Sequence, residues 1–189
     1  MTNRLNSRQR KTPHRQQRSL ILLVCGGEET EPSYFNGMRR WFRNPAVKVV
    51  VKGKKGDPET LVRYAARVRS ENDYDEVWCV VDVDHFPLPG AVASAKKLGV
   101  KLAVSNPCFE YWLLLHFEDC QTPMTRYQEV ERKLKKHVPT YRKDGVRFDD
   151  YAVGVESAVA RAKSGCPADS HPHERTPSTS VWPIVEAMR

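Results

Sequence analysis

The chain has 189 residues and a formal net charge of +8, with 29% charged and 40% hydrophobic residues. That length fits one domain with a sizeable core, and no apolar run is long enough to span a bilayer or to form a signal peptide before Leu20, so a soluble, cytoplasmic protein is expected. Five cysteines without C-x-x-C spacing, some inside strand-like runs, exclude a disulfide scaffold and read as small buried hydrophobes.

The positive charge is concentrated at the start. Arg4, Arg8, Arg10, Lys11, Arg15 and Arg18 occur in the first 18 residues with no acid, and without them the net charge is only +2. Residues 1–18 are therefore expected to be a disordered basic arm ahead of a single domain over 19–189. Such an arm either holds phosphates by salt-sensitive attraction or solubilises the chain.

Leu20-Ile21-Leu22-Leu23-Val24-Cys25 reads as a buried strand that runs into Gly26-Gly27-Glu28-Glu29-Thr30-Glu31-Pro32. Thr30 is the expected cap of a helix with Pro32 in its first turn, and Tyr34, Phe35, Met38, Trp41 and Phe42 recur at the spacing of a core-facing stripe. A strand over 47–51 leads to Lys52-Gly53-Lys54-Lys55-Gly56, which lacks the G-K-[ST] of a phosphate-binding loop and reads as a solvated turn. Asp57 then caps a helix to about residue 70, with Pro58 in its first turn.

The next strand is the most informative. The apolar run 77–83 ends in Asp82-Val83-Asp84, and in a strand carboxylates spaced i, i+2 project to one side. Two such acids repel unless a cation lies between them, and Mg²⁺ is commonly held by one or two carboxylates plus waters and phosphate oxygens. The plainer alternative is that the acids end a strand and cap a helix.

A helix over 91–98 and a strand over 100–104 follow, after which Ser105-Asn106-Pro107 is expected to cap a helix over 108–117. Phe109, Trp112, Leu113 and His116 share one face of that helix, and Glu110 lies off it, near the helix start where the sheet's strands end. A charged helix over 125–137 and the polar loop Tyr141-Arg142-Lys143 come next, with Lys143 a cation able to neutralise a phosphate. The last long helix covers about 151–163 and an irregular Pro-, Ser- and His-rich stretch runs over 165–180. Cys166, His171 and His173 lie close in that stretch but lack a partner pair for zinc, so it reads as a polar loop. A short helix over 181–188 closes the chain. Alternating strands and helices of this kind build an open parallel sheet whose working site lies beyond the carboxyl ends of the strands.

Three segments carry a family resemblance: Leu22-Leu23-Val24-Cys25-Gly26-Gly27-Glu28-Glu29-Thr30-Glu31-Pro32-Ser33-Tyr34-Phe35, Val77-Trp78-Cys79-Val80-Val81-Asp82-Val83-Asp84, and Ser105-Asn106-Pro107-Cys108-Phe109-Glu110-Tyr111-Trp112-Leu113-Leu114-Leu115-His116-Phe117. With Pro177-Ser178-Thr179-Ser180-Val181 near the end, they resemble the RloB family in order. The resemblance implies a TOPRIM-like three-layer α/β fold, with a mostly parallel central sheet and helices on both faces. It also implies a nuclease-like acidic site and a role in bacterial phage defence or abortive infection, sometimes beside an ABC-type ATPase.

TOPRIM-like enzymes place a general acid/base glutamate just after the first strand and an Asp-x-Asp on a later one. Asp82 and Asp84 then become the metal ligands for Mg²⁺ or Mn²⁺. Many family members read Cys-Glu-Gly at the end of the first strand, where this chain has Gly26 in the acidic position. Glu28 and Glu31 remain in the same turn to move a proton, with Glu31 as a further metal ligand. Glu110 and Lys143 complete the expected catalytic set, acting on DNA, RNA or tRNA. The alternative is a catalytically weakened module that binds nucleic acid or a protein partner in a defence complex.

Overall fold

The computed structural model describes residues 19–51, 57–83, 88–167 and 174–189. The expected basic arm over 1–18, the lysine loop over 52–56, Asp84, His171 and His173 lie outside the described residues.

The chain alternates β1 (Ile21–Cys25), α1 (Thr30–Trp41), β2 (Val47–Val51), α2 (Pro58–Ser70), β3 (Glu76–Asp82), α3 (Pro89–Leu98) and β4 (Lys101–Asn106). It continues through α4 (Phe109–Leu114), α5 (Tyr127–His137), α6 (Val155–Gly165), β5 (Ser178–Thr179) and α7 (Trp182–Ala187). The sheet order is β2-β1-β3-β4-β5. The first four strands are parallel and β5 is antiparallel to β4.

Because side chains alternate across a strand, the sheet divides its residues between two cores. Ile21, Leu23, Cys25, Trp78, Val80 and Ala103 face one layer with residues of α1, α4, α5, α6 and α7. Leu22, Val24, Val77, Cys79, Val81 and Val104 face the other, with α2 and α3. The fold is thus three-layered α/β with a mostly parallel sheet, as expected, and its inner strands read as unbroken apolar runs because both faces are covered. All five cysteines are buried free thiols.

The local signals worked where the chemistry was local. Asp57 Oδ1 accepts from the Thr60 N–H at 3.0 Å, and α2 starts at Pro58 as read. Three readings change. Glu29, not Thr30, occupies the cap of α1, and the Thr30 hydroxyl instead donates to the Lys143 carbonyl. Trp41 is 55% exposed rather than part of the core stripe. Ser105 and Asn106 do not cap α4; they extend β4 because β5 pairs with them, and Cys108 takes the cap position. The two-residue β5 was invisible in sequence. Its hold comes from distant partners: Ser105 Oγ and Thr179 Oγ1 lie 2.9 Å apart, and the Ser180 N–H reaches the Val104 carbonyl at 2.9 Å.

An aromatic cluster fixes α1 against α4. The Tyr34 ring meets Phe109, His116 and Phe148 edge-on at 5.6, 5.6 and 5.2 Å between centroids. Each such pair contributes ~0.5–1.5 kcal/mol beyond its buried area. His116 donates from Nδ1 to the Trp112 carbonyl at 3.0 Å, so its Nε2 accepts from the Tyr34 hydroxyl at 2.9 Å. Burial pushes the imidazole down to about 4, which keeps it neutral. Tyr34 lies one turn beyond Glu31, and Phe109 and Trp112 flank Glu110. The clamp therefore sets the relative position of two buried acids.

Candidate functional site

Strands β1 and β3 are neighbours, and β1 connects to β2 on one side while β3 lies on the other. In open α/β sheets such a reversal marks the crevice beyond the carboxyl ends of the strands, where ligands usually bind. Past the last paired residues, the Gly26 N–H still donates to the Val80 carbonyl at 2.9 Å, so the two chain ends leave the sheet side by side.

Asp82 ends β3. Two residues beyond Val80, it falls on the face shared with α1 and α4. Its charge and that of Glu110 both act on the buried Cys108 thiol, which burial first and then these carboxylates push up. Glu31 lies in the first turn of α1 and is buried. Its carboxylate lies against Gly27, so close that a Cβ built on Gly27 would collide with it, and it accepts from the backbone N–H of Gly27 and its own. Desolvation and the nearby Glu110 outweigh those hydrogen bonds and the attraction of Lys143, and the carboxyl is pushed up to about 7.

Glu110, in the first turn of α4, is only 2% exposed. It accepts a 2.7 Å hydrogen bond from the Tyr141 hydroxyl and faces the Lys143 ammonium at 3.8 Å. That ammonium lies 3.9 Å from the centroid of the Tyr127 ring. The tie to Thr30 through the Lys143 carbonyl, 3.4 Å long, holds the same segment to the start of α1.

The expected site residues thus separate. Glu31, Glu110 and Lys143 come together, with Asp82 beside Cys108 at their edge. Glu28 is exposed in the turn before α1. Asp84 lies outside the described residues. Among the described residues, no group of three or more His, Cys, Asp or Glu side chains is arranged to hold a metal ion.

Two participants escaped the sequence reading. Tyr141 was placed in a polar loop but is buried, 4% exposed, because its hydroxyl has a carboxylate to bond. Gly27 makes room for Glu31, and its only sequence signal is the glycine pair. A Cβ at Gly26 would stand 3.2 Å from the Val80 carbonyl and 3.7 Å from Leu61 Cδ2, on the α2 side of the sheet, away from Glu31.

The fold and the crevice define a three-layer α/β protein with a buried carboxylate pair at the switch point of its sheet. The chain belongs to the RloB-like protein family, whose family model matches residues 21–188. No curated protein and no solved structure matches it. Among the described residues, no helix is long and apolar enough to cross a membrane.

Proposed function

We propose that this chain is a Mg²⁺- or Mn²⁺-dependent nuclease that hydrolyses phosphodiesters in nucleic acid, with a TOPRIM-like division of labour. The observation that carries this reading is Glu31: a carboxyl buried beside a second acid at the switch point, its proton affinity raised to about 7. A group that gains and loses a proton near neutral pH suits general acid/base work.

The donor set fits a hard cation. It consists of carboxylate oxygens, and Mg²⁺ needs only one or two protein carboxylates when waters and phosphate oxygens complete its shell. Asp82 and Asp84 would hold the ion, leaving Glu31 available to exchange its proton. When bound, the ion would polarise the phosphoryl group and lower the proton affinity of a water.

The chain's own residues do the rest. Glu31 carries the proton to or from the reacting oxygen. Lys143, about half exposed beside Glu110, offsets charge building on the phosphoryl oxygens. Tyr141 and Lys143 hold Glu110; burial first, and then the charge of Glu110, keeps Glu31 near its working protonation. In keeping with the family resemblance, the proposed setting is bacterial phage defence in the cytoplasm, beside an ABC-type ATPase.

One observation favours the rival reading of a binding module with a weakened site: Glu110 is already occupied by Tyr141 and Lys143. Assays of wild type and Asp84→Ala on DNA, RNA and tRNA with Mg²⁺ or Mn²⁺, alone and with a neighbouring ATPase, separate the two. The nuclease reading expects cleavage by wild type and none by the variant. Metal binding without cleavage under every condition would leave the binding module.

A further inference from the structure

Helix α1 begins at the acidic crevice and ends ~15 Å away, at ~1.5 Å per residue, on a surface of different character. Trp41, its last residue, is 55% exposed, whereas Trp78 and Trp112 are buried in the core. The indole is anchored by an edge contact to the buried Phe148 ring, 6.0 Å between centroids, and Phe148 also meets Phe42 at 6.4 Å. A large aromatic surface thus touches the fold at its base and is left open to solvent.

Cations accompany it along the chain. Arg40 and Arg43 flank Trp41 and Phe42 and are both exposed, and Arg147 is exposed just before Phe148. Arg39 is tied down, its Nη1 donating to the Val47 carbonyl at 3.2 Å. The acids Asp149 and Asp150 follow Phe148 in the chain, and Asp150 faces Arg147 at 3.9 Å.

The backbone adds an independent observation. Arg43 has φ +49°, in the left-handed region that glycine or asparagine occupies at lower cost just past a helix end. The chain nevertheless carries an arginine there, beside the exposed indole.

We propose that Trp41, with Arg40, Arg43 and Arg147 around it, is a stacking platform for an unpaired base of single-stranded nucleic acid. An aromatic face accepts any base and neighbouring guanidinium groups hold the phosphates on either side, the combination by which proteins grip single strands without reading sequence. A second copy of the chain fits less well, since a two-fold contact through this patch would oppose the same arginines. The inference rests on the nucleic-acid reading proposed above, but it concerns binding at the end of α1 remote from the acids and requires no cleavage.

The test is equilibrium binding of the full chain in EDTA to an oligothymidylate and to an abasic strand of equal length, across a salt series. Trp41→Ala should weaken binding to oligothymidylate about tenfold or more and leave the abasic strand unaffected, with Trp41→Phe retaining most of the affinity. Arg43→Gly should weaken both and reduce the salt slope by about 0.7, while Tm stays level or rises, because glycine suits that φ. Equal binding of both strands by wild type and Trp41→Ala would overturn the proposal, as would a preference for duplex or a Trp41-dependent dimer in sedimentation. Cleavage assays on the same variants keep the two readings apart. Trp41-dependent binding without cleavage fails only the nuclease, and cleavage without Trp41-dependent binding fails only the platform.

Discussion

The Tyr141 hydroxyl reaches Glu110, 31 positions earlier in the chain, through a 2.7 Å hydrogen bond between two buried groups. Together with the Thr30 hydroxyl on the Lys143 carbonyl, it pins one loop to the first turns of both α1 and α4. Those turns carry Glu31 and Glu110, so the loop fixes how far apart the two acids stand.

Removing that hydroxyl leaves a buried carboxylate with one partner fewer. Tyr141→Phe should cost about 1.5–3 kcal/mol in urea unfolding, the range for a hydrogen bond to a charged group. It should also lower any cleavage more than its stability loss explains. A variant as stable as wild type would show that water or Lys143 replaces the hydroxyl at no cost.

Gly27, rather than Gly26, is the glycine the site requires. Gly27→Ala places a methyl where the Glu31 carboxylate lies, and since the obstacle is a side-chain end, the carboxylate moves and the fold survives. Displacement by ~1 Å from a working geometry costs on the order of 10²-fold in rate, so cleavage should drop by about that much. Among the described glycines only Gly99 has positive φ, so Gly26→Glu is not opposed by φ and has only to relax the 3.2 Å approach of its Cβ to the Val80 carbonyl. Its side chain starts against Leu61 on the α2 side, and no gain in cleavage is expected. Restored or increased activity in Gly26→Glu would mean that the longer side chain bends back into the crevice.

Glu31 should leave a signature in stability against pH. Its folded-state affinity is raised from 4.5 to about 7, so between those values the folded protein keeps a proton that the unfolded chain has released. Stability is then fully present below about pH 4.5, falls as pH rises towards 7, and levels off above it. The whole change is at most about 3.5 kcal/mol at ~1.4 kcal/mol per pKa unit. Subtracting the Glu31→Gln profile from that of wild type should isolate this fall, while exposed Glu29→Gln should leave it in place. Cleavage should likewise depend on Glu31 and not on Glu29; loss with Glu29→Ala alone would place the catalytic turn two residues earlier.

Asp82 and Asp84 should bind one divalent cation between them. Calorimetry with Mn²⁺ should detect binding by wild type and none by the double variant Asp82→Asn/Asp84→Asn, whose amides cannot neutralise the charge. Equal heats from the two proteins would remove the metal site from the proposal.

Residues 1–18 are expected to be separable from the domain. Deleting residues 1–18 removes six cations from a segment with no apolar periodicity, and nucleic-acid affinity should fall and become less dependent on salt, with circular dichroism unchanged. Identical salt titrations with and without the arm would make it a bystander.

The order of strands and helices was legible because each signal is local: unbroken apolar runs for β1 and β3, Asp57-Pro58 for the start of α2, and an apolar strand ending in Asp82. These fixed the α/β class and put acids at the carboxyl ends of the strands, since period-two and helical spacing need no distant partner to be read. What the tertiary structure decided depended on contacts across the chain. Glu31 and Glu28 have the same chemistry in the same turn, and only packing buries one beside Glu110 and leaves the other in water. Tyr141 became a site residue by meeting Glu110, β5 became a strand by meeting Ser105, and Trp41 lies outside the core with its edge against Phe148. Sequence spacing states which side chains share a face of their own element. Desolvation, which sets the proton affinity of Glu31 and the exposure of Trp41, depends on what the other elements bring against that face.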